Sequence, residues 1–362
     1  MSGAAGGGAA QAIAIPVIAI ACGLALFGAF VFAIGKDPLE VMAVIVDGAF
    51  ASTFSWQNTL LRAAPLVLTG LAVAIPAQVG LVVIGAEGTL ALGGLAAAWI
   101  AHAAGAGGPA VAIPLAMLAG MLAGAGWTAA TGALRAYRGL NETIASLLLS
   151  YIAIALFNHL VEGPLRDPGS LNKPSTPPVG DALMLPHLPG TDLHWGLAIG
   201  VAVAFVAQLL VSRTTLGFAM RVAGGNVRAA RLVGLPVAGL LVLACALGGS
   251  AAGLAGAIEV LAVHGAANAS LLVGYGYTGI LVAFIARHQP LAVVPVAVLL
   301  GGISAAGSLL QRRLDLPDAT TQVLQGLLFV SILASEALYG RLNWRIRPVR
   351  VRADLAPQAQ GG

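Results

Sequence analysis

Two carboxylates, Glu87 and Glu259, stand inside long apolar stretches. A charge at the centre of a bilayer costs about 2.5–3.5 kcal/mol on insertion scales, so such residues face a cavity or the interior of a bundle. His264 follows Glu259 by five residues. That pair could relay protons in an ion-coupled transporter; a carboxylate near a helix end is the plainer reading. Glu87 lies in Val83-Ile-Gly-Ala-Glu-Gly-Thr89. There Gly85 and Gly88 permit a helix break whose freed backbone groups can meet a polar solute, and capping of a helix start is the structural alternative. Gln78, Asn158, His159, Gln322 and Gln325 also interrupt apolar runs. Each can line a path or bond between helices for about 1 kcal/mol or less.

Covalent or metal chemistry has little to work with. The only lysines are Lys36 and Lys173, and neither ends a G-x-x-x-x-G-K loop, so no phosphate-gripping lysine is present. His102, His187, His194 and His288 lack H-x-x-x-H spacing and have no cysteine nearby. Cys22 and Cys245 fall in apolar segments, as buried small hydrophobes do. No G-x-S-x-G elbow occurs.

The elements that position these residues are membrane helices. Of 362 residues 59% are hydrophobic and 9% charged, against about 25% charged in soluble domains, too few to coat a soluble surface. Apolar runs of about twenty residues recur, long enough to cross a hydrocarbon core of about 30 Å. The expected fold is all-α: a polytopic membrane protein of about ten transmembrane helices, some broken, near 11–35, 61–79, 86–104, 110–134, 143–162, 193–212, 238–262, 274–287, 290–311 and 319–339. The eighth is short, with Gly274, Gly276 and Gly279 at its start. Gly120/Gly124 and Gly249/Gly253 form small-xxx-small pairs that suit close helix packing.

Met1 to Ala10 contains no Lys or Arg, so the first helix reads as retained. The chain divides into a tail over 1–10, one transmembrane domain over 11–340, and a basic tail over 341–362. Arginine bias sets the orientation. Arg213, Arg221, Arg228 and Arg231 crowd 213–237 without an acid, which makes that segment cytoplasmic. The Pro-rich stretch 163–192, with Asp167, Asp181 and Asp192, reads as an external loop. Ten spans put both termini in the cytoplasm, and leave Arg312 and Arg313 outside against the rule. The +4 net charge thus reports topology and no nucleic-acid surface. The segment 213–237 alternates apolar and basic positions at helical spacing, with Leu216, Phe218 and Leu232 able to anchor in lipid or in a partner's groove. Asn141-Glu142 has the form of a helix N-cap with an acid in the first turn.

Five motifs then occur in order: Ile84-Gly-Ala-Glu-Gly88, Gly139-Leu-Asn-Glu-Thr-Ile144, Gly163-Pro-Leu-Arg-Asp-Pro168, Thr214-Thr-Leu-Gly-Phe218 and Gly274-Tyr-Gly-Tyr-Thr-Gly-Ile280. Together, from about Thr59 to Glu336, the set resembles the permease subunits of bacterial ABC importers in the branched-chain amino acid and simple sugar group. It is most similar to the branch working with nucleoside-binding lipoproteins of the basic membrane protein type. The resemblance implies a two-permease, two-ATPase core in the bacterial inner membrane, fed by an extracytoplasmic binding protein. This chain would carry no cofactor, ATP and Mg being held by the ATPase, and would pair with a second permease, a heterodimer being favoured. Implied for the solute path are Gln78, Gly85, Glu87, Gly88, Thr89, Asn158, Tyr275 and Tyr277. Implied for coupling to the ATPase are Thr215, Leu216, Phe218, Arg221, Asn226, Arg228, Arg231 and Leu232. The solute would be a nucleoside, with a sugar or branched-chain amino acid as the alternative. The chain has Val82, Val83 and Ile84 where the family commonly reads Phe-Asn-Ile, and Thr89 where Gln is common.

Overall fold

The computed structural model describes the backbone of residues 4–342 and the side-chain surroundings of residues 17–335. Thirteen α-helices follow one another: α1 Ala4–Ala33, α2 Pro38–Phe50, α3 Thr53–Ala77, α4 Ala86–Ala104, α5 Pro109–Arg138, α6 Glu142–Glu162, α7 Gly196–Arg213, α8 Thr215–Gly225, α9 Val227–Leu232, α10 Val237–Glu259, α11 Tyr275–Ile285, α12 Pro290–Leu314 and α13 Ala319–Leu342. The expected tail over 1–10 is helical from Ala4, and the basic tail over 341–362 lies outside the described residues beyond 342.

Among the described residues seven helices are long and apolar enough to cross a membrane (α3 to α7, α10 and α12), or eight if the bent pair α1 and α2 counts as one broken span. Of the ten expected, three stretches fall outside these seven, each for its own reason. The span expected over 11–35 continues into α2, turned by 117° from α1; Asp37 caps α2 by accepting from the Leu39 N–H at 2.8 Å, and Pro38 occupies its first position. Glu40 and Asp47 hide α2 from a hydropathy scan. The chain expected as a span over 274–287 is half-length, because 265–274 is irregular before α11 begins. The apolar stretch of the last helix is described as Ala319–Ser335.

The innermost spans are α3 and α10. Glycine lets α10 approach its neighbours backbone to backbone: a Cβ on Gly253 would land on the Gly120 carbonyl, and one on Gly124 on the Gly249 carbonyl. Small-xxx-small pairs create this surface where lipid offers no hydrophobic drive.

Backbone that leaves the helix inside a membrane must find partners. Residues 81–84, between α3 and α4, are extended, and one face of α6 supplies hydroxyls to them. Thr143 Oγ1 donates to the Val82 carbonyl, while Ser146 Oγ and Ser150 Oγ accept from the Ile84 and Gly88 N–H groups, each at 3.0 Å.

The loop over 163–195 lies against the chain that follows α10. Val179 N–H donates to the Gly265 carbonyl at 2.8 Å and Leu185 N–H to Leu261 at 2.7 Å. At this same end Lys36 Nζ donates to the Leu314 carbonyl at 2.7 Å, and Arg313 pairs with Asp47 at 3.2 Å. Arg313 therefore stands at the loop end with a carboxylate partner, which accounts for one basic residue there. The opposite end carries α8, α9 and the Arg135–Glu142 pair at 3.3 Å. Asn141 caps α6 as expected, its side chain accepting from Ile144 N–H at 3.1 Å.

Candidate functional site: a polar cleft at the loop end of the bundle

A cleft of about 730 Å³ opens at the end where the 163–195 loop packs. The first half of α3 contributes Asn58 and Arg62, the last residue of α10 is Glu259, and the wider turn Val260–His264 that follows it contributes His264. The approach to α11 gives Ser270 and Tyr275, α12 gives Ser304, and the start of α13 gives Asp318, Gln322 and Gln325. His187, Asp192 and His194 of the loop complete the wall.

Some of these groups hold one another. Thr278 Oγ1 donates to Gln325 Oε1 at 3.2 Å, and Gln325 Nε2 donates to Ser304 Oγ at 2.8 Å. Glu259 is buried, and its partner is His264 Nε2 at 3.6 Å. In the loop, His194 Nδ1 accepts from the Gly196 N–H at 3.1 Å, which assigns the ring proton to Nε2. Burial, with His187 adding to it, pushes the His194 pKa down to about 4, so the ring is neutral at physiological pH.

Of the eight path residues expected, Tyr275 lines the cleft and the other seven do not. Glu87 is instead buried at the start of α4, with Oε1 accepting from Gly274 N–H at 2.8 Å and Oε2 from Gly276 N–H at 2.6 Å. It caps α11, a different helix from its own, and a carboxylate suits the positive end of a helix. Gly88 and Gly85 face α6 so closely that a Cβ would meet the Ser150 and Ser146 carbonyls. Thr89 Oγ1 lies 2.9 Å from the Gly85 carbonyl and 3.0 Å from Thr128 Oγ1. The break that glycine permits is thus filled by α6, α5 and α11. Gln78 sits at the far end, its Nε2 donating to the Ala74 and His288 carbonyls at 3.1 and 2.8 Å. Asn158 is half-buried on α6, and Tyr277 is 40% exposed.

Arg62 was missed, although it is an arginine in the run Thr59-Leu-Leu-Arg-Ala-Ala-Pro65, where the rule for intramembrane charges already marks it. Asn58 and Asp318 gave no such signal, lying at helix starts where polar residues are ordinary.

The 213–237 segment forms α8 and α9 as two short helices. Thr214 caps α8 by accepting from Gly217 N–H at 3.1 Å, and Asn226 caps α9 by accepting from Arg228 and Ala229 N–H at 3.0 and 3.1 Å. Met220, Ala223 and Ala230 are buried with Leu216 packed beside them, while Phe218 is 62% and Leu232 88% exposed. Thr215, Arg228 and Arg231 are exposed. The Arg221 guanidinium donates to the Val211 carbonyl, tying α8 to the end of α7.

Known proteins are similar to this chain in sequence. The chain is 34% identical over 359 residues to a glucose ABC transporter permease of Haloferax volcanii, covering 96% of this chain and 93% of that one. It is 28% identical to a guanosine ABC transporter permease of Bacillus subtilis, covering 90% and 94%. It is 25% identical to a nucleoside ABC transporter permease of Lactococcus lactis, covering 79% and 81%. The family model described as branched-chain amino acid transport system / permease component matches residues 55–333, from the start of α3 into α13, and so takes in every wall of the cleft. The chain is a multi-pass membrane protein and a permease component of that family, the resemblance read from its five motifs.

Proposed function

We propose that this chain is the permease subunit of an ATP-driven importer in the bacterial inner membrane. Its cleft is the outer part of the path for a small neutral solute, a nucleoside first and a sugar second. The observation that carries this reading is the cleft itself: amide, hydroxyl and imidazole groups surround a space of about 730 Å³ at the end of the bundle roofed by loop 187–194. Such a lining exchanges hydrogen bonds with a polar solute as it leaves water. The relatives' solutes agree with it, since guanosine and glucose are both neutral and both carry adjacent hydroxyls.

ATP hydrolysis belongs to a separate ATPase holding ATP and Mg. Its docking site is the exposed face of α8 and α9, with Phe218 and Leu232 as apolar anchors and Arg228 and Arg231 beside them. A second permease completes the path, a paralogue being favoured, and an extracytoplasmic binding protein delivers solute to the 163–192 loop. In this orientation the α8–α9 end and both termini face the cytoplasm. The test is to purify the chain with its co-encoded partners, reconstitute them in vesicles, and measure which solutes stimulate ATP hydrolysis. Stimulation by guanosine or another nucleoside is expected; stimulation by leucine alone would overturn the reading.

A further inference from the structure

Among the described residues the membrane domain buries two glutamates, and they are used differently. Both oxygens of Glu87 accept backbone N–H groups, at 2.8 and 2.6 Å. Glu259 is just as buried, 2% exposed, yet among the described residues its side chain has only His264 Nε2 at 3.6 Å, beyond the 2.7–3.2 Å of a hydrogen bond. Buried polar groups are nearly always bonded, so a carboxylate left with acceptor capacity on a cleft wall points to a ligand. The other charges narrow the ligand's kind. Among the described lining residues the arginine is Arg62, against Asp192, Glu259 and Asp318. An anionic solute is repelled by that balance, and a neutral one is not.

Resting on the importer reading above, we infer that Glu259 is the recognition point for two adjacent hydrogen-bond donors on a neutral solute, with Arg62 and His264 flanking it. A carboxylate has two oxygens and accepts a pair of parallel donors well. Adjacent donors can come from a vicinal diol, as on ribose or a hexose, or from the N–H and NH₂ edge of a guanine base, and the chemistry at Glu259 is the same for both.

The test crosses the carboxylate with the donors. The importer, assembled with its co-encoded ATPase, second permease and binding protein, is placed in vesicles, and half-saturating concentrations for uptake are measured for guanosine, 2′,3′-dideoxyguanosine and inosine. One binding protein serves wild type and Glu259→Gln alike, so its own preference cancels in the ratio. The expected result has two parts. Wild type weakens about tenfold or more for one analogue, as a site built to bond a group rejects a solute lacking it. Glu259→Gln weakens comparably for guanosine and is indifferent to that same analogue. Sensitivity to the dideoxy compound assigns the diol, and sensitivity to inosine assigns the base edge. Equal proportional losses in wild type and variant, or guanosine uptake by the variant as in wild type, overturn the inference and leave the importer reading intact. A wild-type complex that moves no nucleoside or sugar overturns both. If Glu259→Gln does not assemble, Glu259→Asp, which keeps the charge and withdraws it by one carbon, is put through the same cycle with the same outcomes.

Discussion

Glu87 and Gly276 are locked together from opposite sides of two helix starts: the carboxylate accepts the Gly276 N–H at 2.6 Å, and a Cβ on Gly276 would land on the Glu87 backbone nitrogen. The contact fixes α11 against α4, and through α11 it sets the height of Tyr275 in the cleft wall.

Loss of this cap should appear in assembly before it appears in transport. Glu87→Gln keeps one acceptor oxygen and turns an N–H donor towards another, so it forfeits at least one charge-assisted bond, worth about 1.5–3 kcal/mol. The expected outcome is a lower melting temperature and less purified complex, with uptake per assembled complex within about twofold of wild type. A stable complex with uptake reduced tenfold would return Glu87 to the solute path.

Close packing between α5 and α10 sets the second prediction. Gly253→Ala puts a methyl on the Gly120 carbonyl, and overpacking of this sort costs about 1–3 kcal/mol. Gly126→Ala, on the same helix as Gly120 but with open space around it, is the matched control. Thermal unfolding followed by size-exclusion chromatography should separate the two.

At the α8–α9 end, Phe218→Asp and Leu232→Asp alter side chains exposed at 62% and 88%. Both variants should fold and insert while recovering less ATPase on co-purification, and solute-stimulated hydrolysis should fall about tenfold. Met220→Asp, fully buried, should instead reduce the amount of folded protein. Arg228→Glu tests the charge, because Arg228 is exposed; Arg221→Glu also breaks the tie to Val211 and would confound coupling with folding.

His194 predicts a dependence on pH. Its folded pKa is about 4 against an ordinary 6.5, so the unfolded or opened loop binds a proton more readily. Stability of the docked loop is fully present above about pH 6.5 and is lost as pH falls towards 4. Between pH 7 and pH 5 local opening should become roughly 20-fold more frequent. Hydrogen exchange at the Leu185 and Trp195 amides, corrected for intrinsic rate, reads this directly, and His194→Asn should flatten it.

Much of the fold was legible because bilayer helices announce themselves by length and apolarity: α5, α6 and α12 fall where hydropathy put them. The cap at Asn141 and the glycine seam of α5 and α10 were equally readable, since each depends on residues a few positions apart. The cleft was not. Gly85 and Gly88 do mark the unwound chain before α4, but whether such a break faces a cleft or a neighbour depends on what packs there, and the hydroxyls of Thr143, Ser146 and Ser150 lie some sixty residues away. Glu259, His264, Gln322 and Gln325 stood out as polar residues in apolar runs, yet their meeting around one cleft depends on how the helices between them, α3, α11 and α12, hold α10 and α13 in place.

One helix joins the two working ends. Along α3, Arg62 stands in the cleft, while at its C-cap Gln78 bonds the His288 carbonyl, and Gly224 of α8 fits so closely that a Cβ there would meet the Gln78 carbonyl. Sixteen residues of helix separate Arg62 from Gln78, about 24 Å. A rod of that length pivoted near one end needs a tilt of only about 5° to move the other by about 2 Å, enough to make or break a hydrogen bond. One helix thus runs from the Arg62 wall of the cleft to the contact with α8, and Pro65 and Pro76 are the points along it where a bend would be taken up.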